Sequence, residues 1–177
     1  MSEVVKTNST QFHVENLDIC DYTEEQLDCW LPLFKSGVLH NLEVLVKTRR
    51  GVVNCLESEH FKRAKSIDLF PIFGLNPSFI NHFLHFETFR VHLQFILIND
   101  ILRLMENLST SNIFQRCEIY LFVDLDLNAI KEAFEVLPAD PVKQEGLLYV
   151  EVNYVQFFLC FWFRNRHFMI QRKIAKL

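Results

Sequence analysis

The sequence predicts an α/β domain in which short strands alternate with helices. Hydrophobic residues make up 50% of the 177 residues and charged residues 23%, so the chain can bury a substantial core and is not expected to be disordered. Four glycines and five prolines are few chain breakers for this length, which favours regular elements joined by short connections. A recurring apolar pattern predicts which kind of α/β fold the chain adopts.

The pattern reads apolar-x-x-apolar-x-apolar and occurs in VENLDI, LHNLEV, AKSIDL, FETFRV and FQRCEI. The copies begin at Val14, Leu39, Ala64, Phe86 and Phe114, so their spacings are 25, 25, 22 and 28 residues. These spacings lie within the period of about 20–29 residues that is typical of leucine-rich repeats. The sequence therefore predicts a leucine-rich-repeat-like curved stack of strand–helix units with parallel strands over residues 12–125.

Helical sequences separate the predicted strands. They are TEEQLDCWLPLFKS, ESEHFKRAK, NPSFINHF and NDILRLMENLSTSN, the last with an apolar stripe at Ile101, Leu102, Met105 and Leu108. A final helix is expected in DLNAIKEAFEVL, with Asp126 as N-cap. LLYVEV, VQFFLCFWF and HFMIQRK are strand-like, so an antiparallel hairpin or sheet should close the stack. The predicted organisation is a flexible N-terminus at 1–11 and a single domain at 12–177, whose C-terminal helix and strands occupy 126–173.

Every predicted strand carries a charged residue at the same repeat position, between the second and third apolar residues. Because neighbouring side chains of a strand point to opposite faces, its apolar flanks are expected in the core and the charge in solvent. Two residues further on, the same face would carry Cys20, Leu45, Phe70, His92 and Tyr120. This face is either a solvated surface or a recognition surface for a protein. The predicted partner-binding residues are Asp18, Glu43, Asp68, Arg90, His92, Glu118 and Tyr120.

Charge and motifs argue against several functional classes. A net charge of −4 gives no electrostatic reason to expect nucleic-acid or anionic-membrane binding. The longest apolar run, FFLCFWF, is too short for a membrane-spanning helix. No glycine-rich phosphate loop is present, and the five irregularly spaced cysteines match neither a disulfide framework nor a zinc motif. We expect no cofactor, and a reducing, cytoplasmic location with a nuclear one left open.

The rival hypothesis is a small metal- or thiol-dependent enzyme. His82, His85 and His92 occur within NHFLHFETFRVHLQF, but the repeat register is expected to spread them along one helix–strand unit. Cys55 and Cys117 lack a recognisable nucleophile motif, and buried structural thiols are the expected alternative. The acidic pairs Glu57/Glu59 and Asp124/Asp126 are interpreted as solvated carboxylates at loops and helix starts. We therefore predict no catalytic and no metal-binding residue.

Several segments resemble the FTH domain, the region that follows the F-box in nematode F-box A proteins. LESEHFKRAKSIDL is similar to its helix-plus-strand signature, although the family usually has Trp where this chain has Phe61. The resemblance covers about residues 28–173 and includes WLPLFKSGVLHNLEV, HFLHFETFRVHL, NDILRLMENLSTSNIFQRCEIYL and QFFLCFWFRNRHFMIQRK.

The resemblance implies a non-enzymatic protein-interaction module of the Ubl conjugation pathway, similar to the substrate-binding part of an F-box ubiquitin-ligase adaptor. In relatives the F-box docks on the Skp1-type adaptor of a cullin ligase. Here the first repeat begins near residue 12, which leaves no room for an F-box and makes adaptor binding doubtful. A truncated paralogue, a decoy, an incomplete gene model and a degenerate paralogue without a partner stay open, as do the target protein and the oligomeric state.

Overall fold

The strands of the protein form one mixed sheet. A computed structural model describes residues 11–22, 24–135, 142–144, 147–153, 157–164 and 166–174. The strands in these ranges are β1 (Asn16–Tyr22), β2 (Asn41–Val46), β3 (Ser66–Pro71), β4 (Thr88–Leu93), β5 (Arg116–Leu121), β6 (Val142–Gln144), β7 (Leu147–Asn153), β8 (Phe157–Arg164) and β9 (His167–Ile174). Their order in the sheet is β1-β2-β3-β4-β5-β9-β8-β7-β6.

The mode of strand pairing changes once across this sheet, from parallel to antiparallel. Strands β1 to β5 are parallel neighbours, whereas β9, β8, β7 and β6 continue the sheet with antiparallel pairings. The predicted α/β class, the parallel strands and the antiparallel C-terminal hairpin are therefore confirmed. The hairpin closes the stack by pairing β9 with β5. The curvature of a leucine-rich repeat stays a prediction.

The helices lie between the parallel strands and after the last of them. They are α1 (Glu24–Trp30), α2 (Arg49–Glu57), α3 (Glu59–Arg63), α4 (Ile98–Thr110) and α5 (Leu127–Glu135), with 3₁₀ helices at Leu31–Leu33 and Pro77–Phe83. In α4 the buried stripe is Ile101, Leu104, Met105 and Leu108, so Leu104 takes the place predicted for Leu102. Asp126 caps α5 as expected, since its Oδ1 accepts the backbone N–H groups of Asn128 and Ala129, both at 3.0 Å.

The sheet register reproduces the sequence repeat. Asp18 pairs with Glu43, Glu43 with Asp68, Asp68 with Arg90, and Arg90 with Glu118. The residues that follow these charges are buried, and they are Ile19, Val44, Leu69, Val91 and Ile119. Alternation along each strand therefore sends one face into the core and leaves the other to carry the charges, as predicted.

Two elements are absent from the sequence prediction. Helix α2 (Arg49–Glu57) occupies a stretch that was not assigned, and β6 (Val142–Gln144) lies in a segment interpreted as turn-rich. The predicted flexible N-terminus falls mostly on residues 1–10, which lie outside the described residues. Its last residue, Gln11, is held in place because its side-chain Nε2 donates to the carbonyl of Pro32 at 3.1 Å. In the part of the chain that is described, no helix has the length and apolar character needed to cross a bilayer.

Candidate partner-binding face

The outward side of β1–β5 and β9 carries three rows of side chains, which together we call the strand face. The charged row runs across the middle of the strands. A polar row lies on its N-terminal side and an aromatic row on its C-terminal side. In the order charged, polar and aromatic, the rows are Asp18, Glu43, Asp68, Arg90 and Glu118; Asn16, Asn41, Ser66, Thr88 and Arg116; Phe70, His92, Tyr120 and His167.

Arg90 links three strands of the charged row. Its Nη1 lies 2.9 Å from Asp68 Oδ2 and its Nε lies 3.3 Å from Glu118 Oε2. The side chains of Asp68 and Glu118 are 26% and 12% exposed, so both carboxylates are partly withdrawn from water. The guanidinium supplies the opposite charge that such carboxylates require. Arg116 also ion-pairs with Glu118, so the two arginines together balance the charges of Asp68 and Glu118.

Glu118 has several partners on the strand face. Arg90 and Arg116 ion-pair with it, and the Tyr120 hydroxyl donates to its Oε2 at 3.1 Å. Burial alone would raise the pKa of this carboxyl, but the Tyr120 hydrogen bond and the two arginines more than offset burial and lower it. Glu118 is therefore ionised, and it binds the side chains of Arg90, Arg116 and Tyr120.

The β1–β3 end of the charged row has a different electrostatic character. It carries three successive carboxylates, Asp18, Glu43 and Asp68, on neighbouring strands. Partial burial raises the pKa of Glu43, and the negative charges of Asp18 and Asp68 raise it further. A depression of about 350 Å³ lies over this end of the sheet, lined by these carboxylates with Asn16, Leu17, Asn41, Leu42 and Ser66. We call this part of the strand face the acidic end.

The aromatic row is a series of ring contacts between strands. Ring centroids are 5.0 Å apart for Phe70 and His92, 4.9 Å for His92 and Tyr120, and 4.4 Å for the stacked Tyr120 and His167. Burial lowers the pKa of both histidines, and Arg90 lowers that of His92 further. Neutral imidazoles are therefore favoured, and the row offers a mainly apolar surface beside the charges.

Hydrogen bonds join two pairs of neighbours in the polar row. The Thr88 hydroxyl donates to the Ser66 hydroxyl at 2.6 Å, and the side chains of Asn41 and Asn16 are hydrogen-bonded to each other. Cross-strand pairs of this kind fix side-chain rotamers on a sheet surface. The row therefore presents ordered polar groups next to the charges.

Comparison with protein families decides what kind of domain carries this face. The family model described as the FTH domain matches residues 1–137, which is 137 of the 177 residues. The chain belongs to the FTH domain family. The match includes the whole charged row and ends before β6, so the resemblance noted at 156–173 lies beyond it. Comparison with curated proteins gave no match, and comparison with solved structures gave none either.

Sequence reasoning identified most of the strand face of this FTH domain. All seven predicted partner-binding residues lie on outward strand positions and interact with neighbours on that face. The prediction missed His167, which stacks on Tyr120 from β9. The alternation of HFMIQRK, with Phe168 and Ile170 buried, was the available signal for it. Cys20 was also predicted on this face, but its side chain lies outside the described part of the structure.

The three histidines considered for a metal site lie in separate environments in the FTH domain. His82 is exposed on the 3₁₀ helix Pro77–Phe83, and the His85 ring contacts the Phe86 ring in a tilted arrangement with centroids 3.9 Å apart. His92 belongs to the aromatic row. Across the described ranges, no group of three His, Cys, Asp or Glu residues could hold a metal ion.

The candidate nucleophiles and acid–base groups have ordinary surroundings. Cys55 and Cys117 are buried, and burial raises the pKa of the Cys55 thiol to about 12 and that of Cys117 as well. Asp124 ion-pairs with Arg166 at 2.6 Å. Glu59 lies 3.3 Å from Lys62 and from Arg63. None of these contacts joins an acid to a thiol.

Proposed function

We propose that this FTH domain binds a target protein through the strand face. The observation that carries the proposal is the strand-by-strand alignment of the charged row, which places five ionisable side chains on one continuous outward surface. Membership of a family associated with F-box proteins supports a protein-interaction role. Repeat-built sheets commonly present such extended faces to partners.

The internal contacts of the strand face favour recognition of a folded or extended protein segment. Arg90, Glu118 and Tyr120 hold one another in defined positions, so little side-chain entropy is lost when a partner arrives. Aromatic rings next to charged groups are the composition enriched at binding hot spots. The depressions on this face are shallow and polar, which suits contact with a protein surface better than enclosure of a small substrate.

The proposed role is binding rather than catalysis. In that role the domain selects a substrate for an F-box ubiquitin ligase or competes with one as a decoy, and direct docking on the Skp1-type adaptor is not part of the proposal. We further propose a reducing, cytoplasmic location, which is consistent with Cys29, Cys55, Cys117 and Cys160 forming no disulfide within the described residues.

A steric block on the strand face tests the proposal. Asn41→Trp adds an indole to an exposed outward position of β2 without changing the charge, and aromatic residues suit strands. Val53→Trp adds the same group to α2, where Val53 is 40% exposed, and serves as the matched control. Affinity purification with quantitative mass spectrometry should find partners that bind the wild type and Val53→Trp but are lost with Asn41→Trp.

Folding of both variants is checked by thermal unfolding before capture. If folded Asn41→Trp retains the same partners as the wild type, and Gln171→Trp on β9 retains them too, the strand face is not the binding surface. A ubiquitin-ligase adaptor among the partners that both Asn41→Trp and Gln171→Trp retain would indicate a second surface for ligase recruitment.

A further inference from the structure

Arg90 shows how an arginine side chain can bind carboxylates of the charged row. Arg90 extends from the middle strand of a three-strand set, and its guanidinium reaches the carboxylate of the preceding strand, Asp68, and of the following strand, Glu118. Neighbouring strands lie about 4.8 Å apart, so one guanidinium fork spans the gap on both sides. The same row positions recur at each strand of the parallel sheet.

The acidic end repeats this arrangement with a carboxylate in the central place. Glu43 stands where Arg90 stands in its own set, with Asp18 on the preceding strand and Asp68 on the following one. Among the outward side chains described on β1–β3 there is no lysine or arginine, and Arg90 ion-pairs with Asp68 at 2.9 Å from the neighbouring strand β4. Three like charges on adjacent strands destabilise one another. Partial burial and the charges of Asp18 and Asp68 raise the pKa of Glu43, and a positive group of a partner placed over Glu43 would offset this repulsion.

The surroundings of the acidic end fit a long basic side chain. On its C-terminal side the outward positions are Leu45 and Phe70, both half-buried, which can pack against the methylene stem of an arginine or lysine. On its N-terminal side the amide side chain of Asn41 borders the depression of about 350 Å³ and adds a hydrogen-bonding rim. The surface therefore combines an apolar strip, a row of anionic groups and polar edges.

We propose that the acidic end of the strand face docks a basic segment of the target protein, with an arginine or lysine of that segment over Glu43 between Asp18 and Asp68. This inference rests on the proposed function and adds the chemistry of the partner to it. Charge complementarity selects the occupant, because three carboxylates favour a cationic segment and repel an acidic one. The β4–β5 side of the row does not share this selectivity, because Arg90 and Arg116 place positive charge beside Glu118.

Selection of peptides from a random phage-displayed library on the immobilised full chain tests the proposal. The wild type should enrich peptides that carry Lys or Arg beside an apolar residue. The triple reversal Asp18→Lys, Glu43→Lys and Asp68→Lys should lose those peptides. The control reversal changes three exposed helical carboxylates, Glu57→Lys, Glu106→Lys and Glu132→Lys, and should keep them. Both triples shift the net charge from −4 to +2, because each reversal adds two charges.

A milder variant covers the case in which the triple reversal fails to fold. Glu43→Gln keeps the side-chain shape and removes one charge. An exposed ion pair contributes up to about 1 kcal/mol, so Glu43→Gln should weaken binding of an enriched peptide by about fivefold in a fluorescence anisotropy titration. The difference between wild type and Glu43→Gln should shrink as salt is added, because screening reduces the contribution of exposed charges.

The outcomes separate this inference from the proposed function. Absence of any enriched peptide, enriched peptides without an excess of Lys and Arg, or equal loss of basic peptides in both triple reversals would overturn the inference. If capture of proteins is nevertheless lost with Asn41→Trp, the strand face still binds a partner, but one of different chemistry. If Asn41→Trp and Gln171→Trp both leave capture unchanged while basic peptides bind Glu43, the inference stands and the strand face is not the site of the captured proteins.

Discussion

Arg90 determines the electrostatics of the strand face at the level of single residues. It is the one basic residue of the charged row, and it holds Asp68 at 2.9 Å and Glu118 at 3.3 Å. Asp68 and Glu118 together raise the pKa of Arg90 in spite of partial burial, so the guanidinium stays charged. Without it, two partly buried carboxylates would face each other across β4. The residue thus stabilises the sheet surface and limits the acidic end to β1–β3.

Replacing Arg90 tests this role. Arg90→Met keeps a long apolar stem and removes both ion pairs, and the free energy of unfolding should fall by about 1 kcal/mol, since the side chain is 38% exposed and solvent screens the pairs. Urea unfolding measures the change. The control is Arg103→Met in α4, whose pair with Asp100 lies on the surface and should contribute about 0.5 kcal/mol or less. Equal losses for the two variants would contradict a special role of Arg90.

At the scale of elements, the turn after β3 depends on one glycine. Gly74 has a φ of +66°, and a Cβ there would lie 2.9 Å from the backbone nitrogen of Gln94 and from the ring of Phe122. The turn places Leu75 so that its N–H donates to the carbonyl of His92 at 2.9 Å and its carbonyl accepts from the N–H of Gln94 at 2.8 Å. This loop therefore binds the end of β4, next to the aromatic row.

Gly74→Ala should destabilise the protein, both because of the positive φ and because of the close contacts that a Cβ would make. Left-handed backbone strain together with the close contacts predicts a loss of about 1–3 kcal/mol in the free energy of unfolding. Gly37→Ala is the matched control, because a Cβ at Gly37 meets its nearest atom, Arg63 Nη1, at 3.8 Å. Chemical denaturation of the two variants should give a large loss for the first and almost none for the second. A Gly74→Ala variant as stable as the wild type would contradict this account of the turn.

The elements that the sequence predicts well are those set by local periodicity. All five parallel strands appear where the apolar pattern places them, because burial of alternate residues follows directly from strand geometry. Helix α2 is different, since RRGVVNCLE contains a glycine and two valines, which are weak helix formers. The helix forms because Val52, Cys55 and Leu56 share one buried face. That burial depends on tertiary packing that propensity alone does not reveal.

The candidate site also has one part that local periodicity predicts and another part that it does not. The charged row was predictable because a fixed repeat aligns equivalent residues of neighbouring strands. The contact of His167 with Tyr120 was not, because it depends on β9 pairing with β5 across 47 residues of sequence. HFMIQRK is not a copy of the repeat, so its pairing with β5 depends on the assembly of the whole sheet and not on a local pattern. The pKa directions at Glu118 and His92 also follow from such assembled contacts.

At the scale of the whole molecule, the β5–β9 pairing joins two different structural halves. One hydrophobic core runs beneath both, from Leu42 and Val44 under the parallel strands to Phe161 and Phe163 in the antiparallel ones. Phe134 of α5 packs against these two rings with centroids 5.2 and 5.8 Å apart. Repeat stacks can lose cooperativity between distant units. The shared core and continuous sheet argue that the halves unfold together.

The two tryptophans of the chain make this prediction testable, because Trp30 lies in α1, between β1 and β2 in the sequence, and Trp162 lies in β8. Trp162→Phe leaves Trp30 to report on the parallel half, and Trp30→Phe leaves Trp162 to report on the antiparallel half. Urea unfolding followed by fluorescence in each variant should give the same midpoint as circular dichroism of that variant, as two-state unfolding requires. An earlier midpoint for Trp162 fluorescence than for circular dichroism in Trp30→Phe would mean that the C-terminal strands detach first. The β5–β9 pairing would then be a weak junction, and His167 and the β9 end of the strand face would be lost while the acidic end stayed folded.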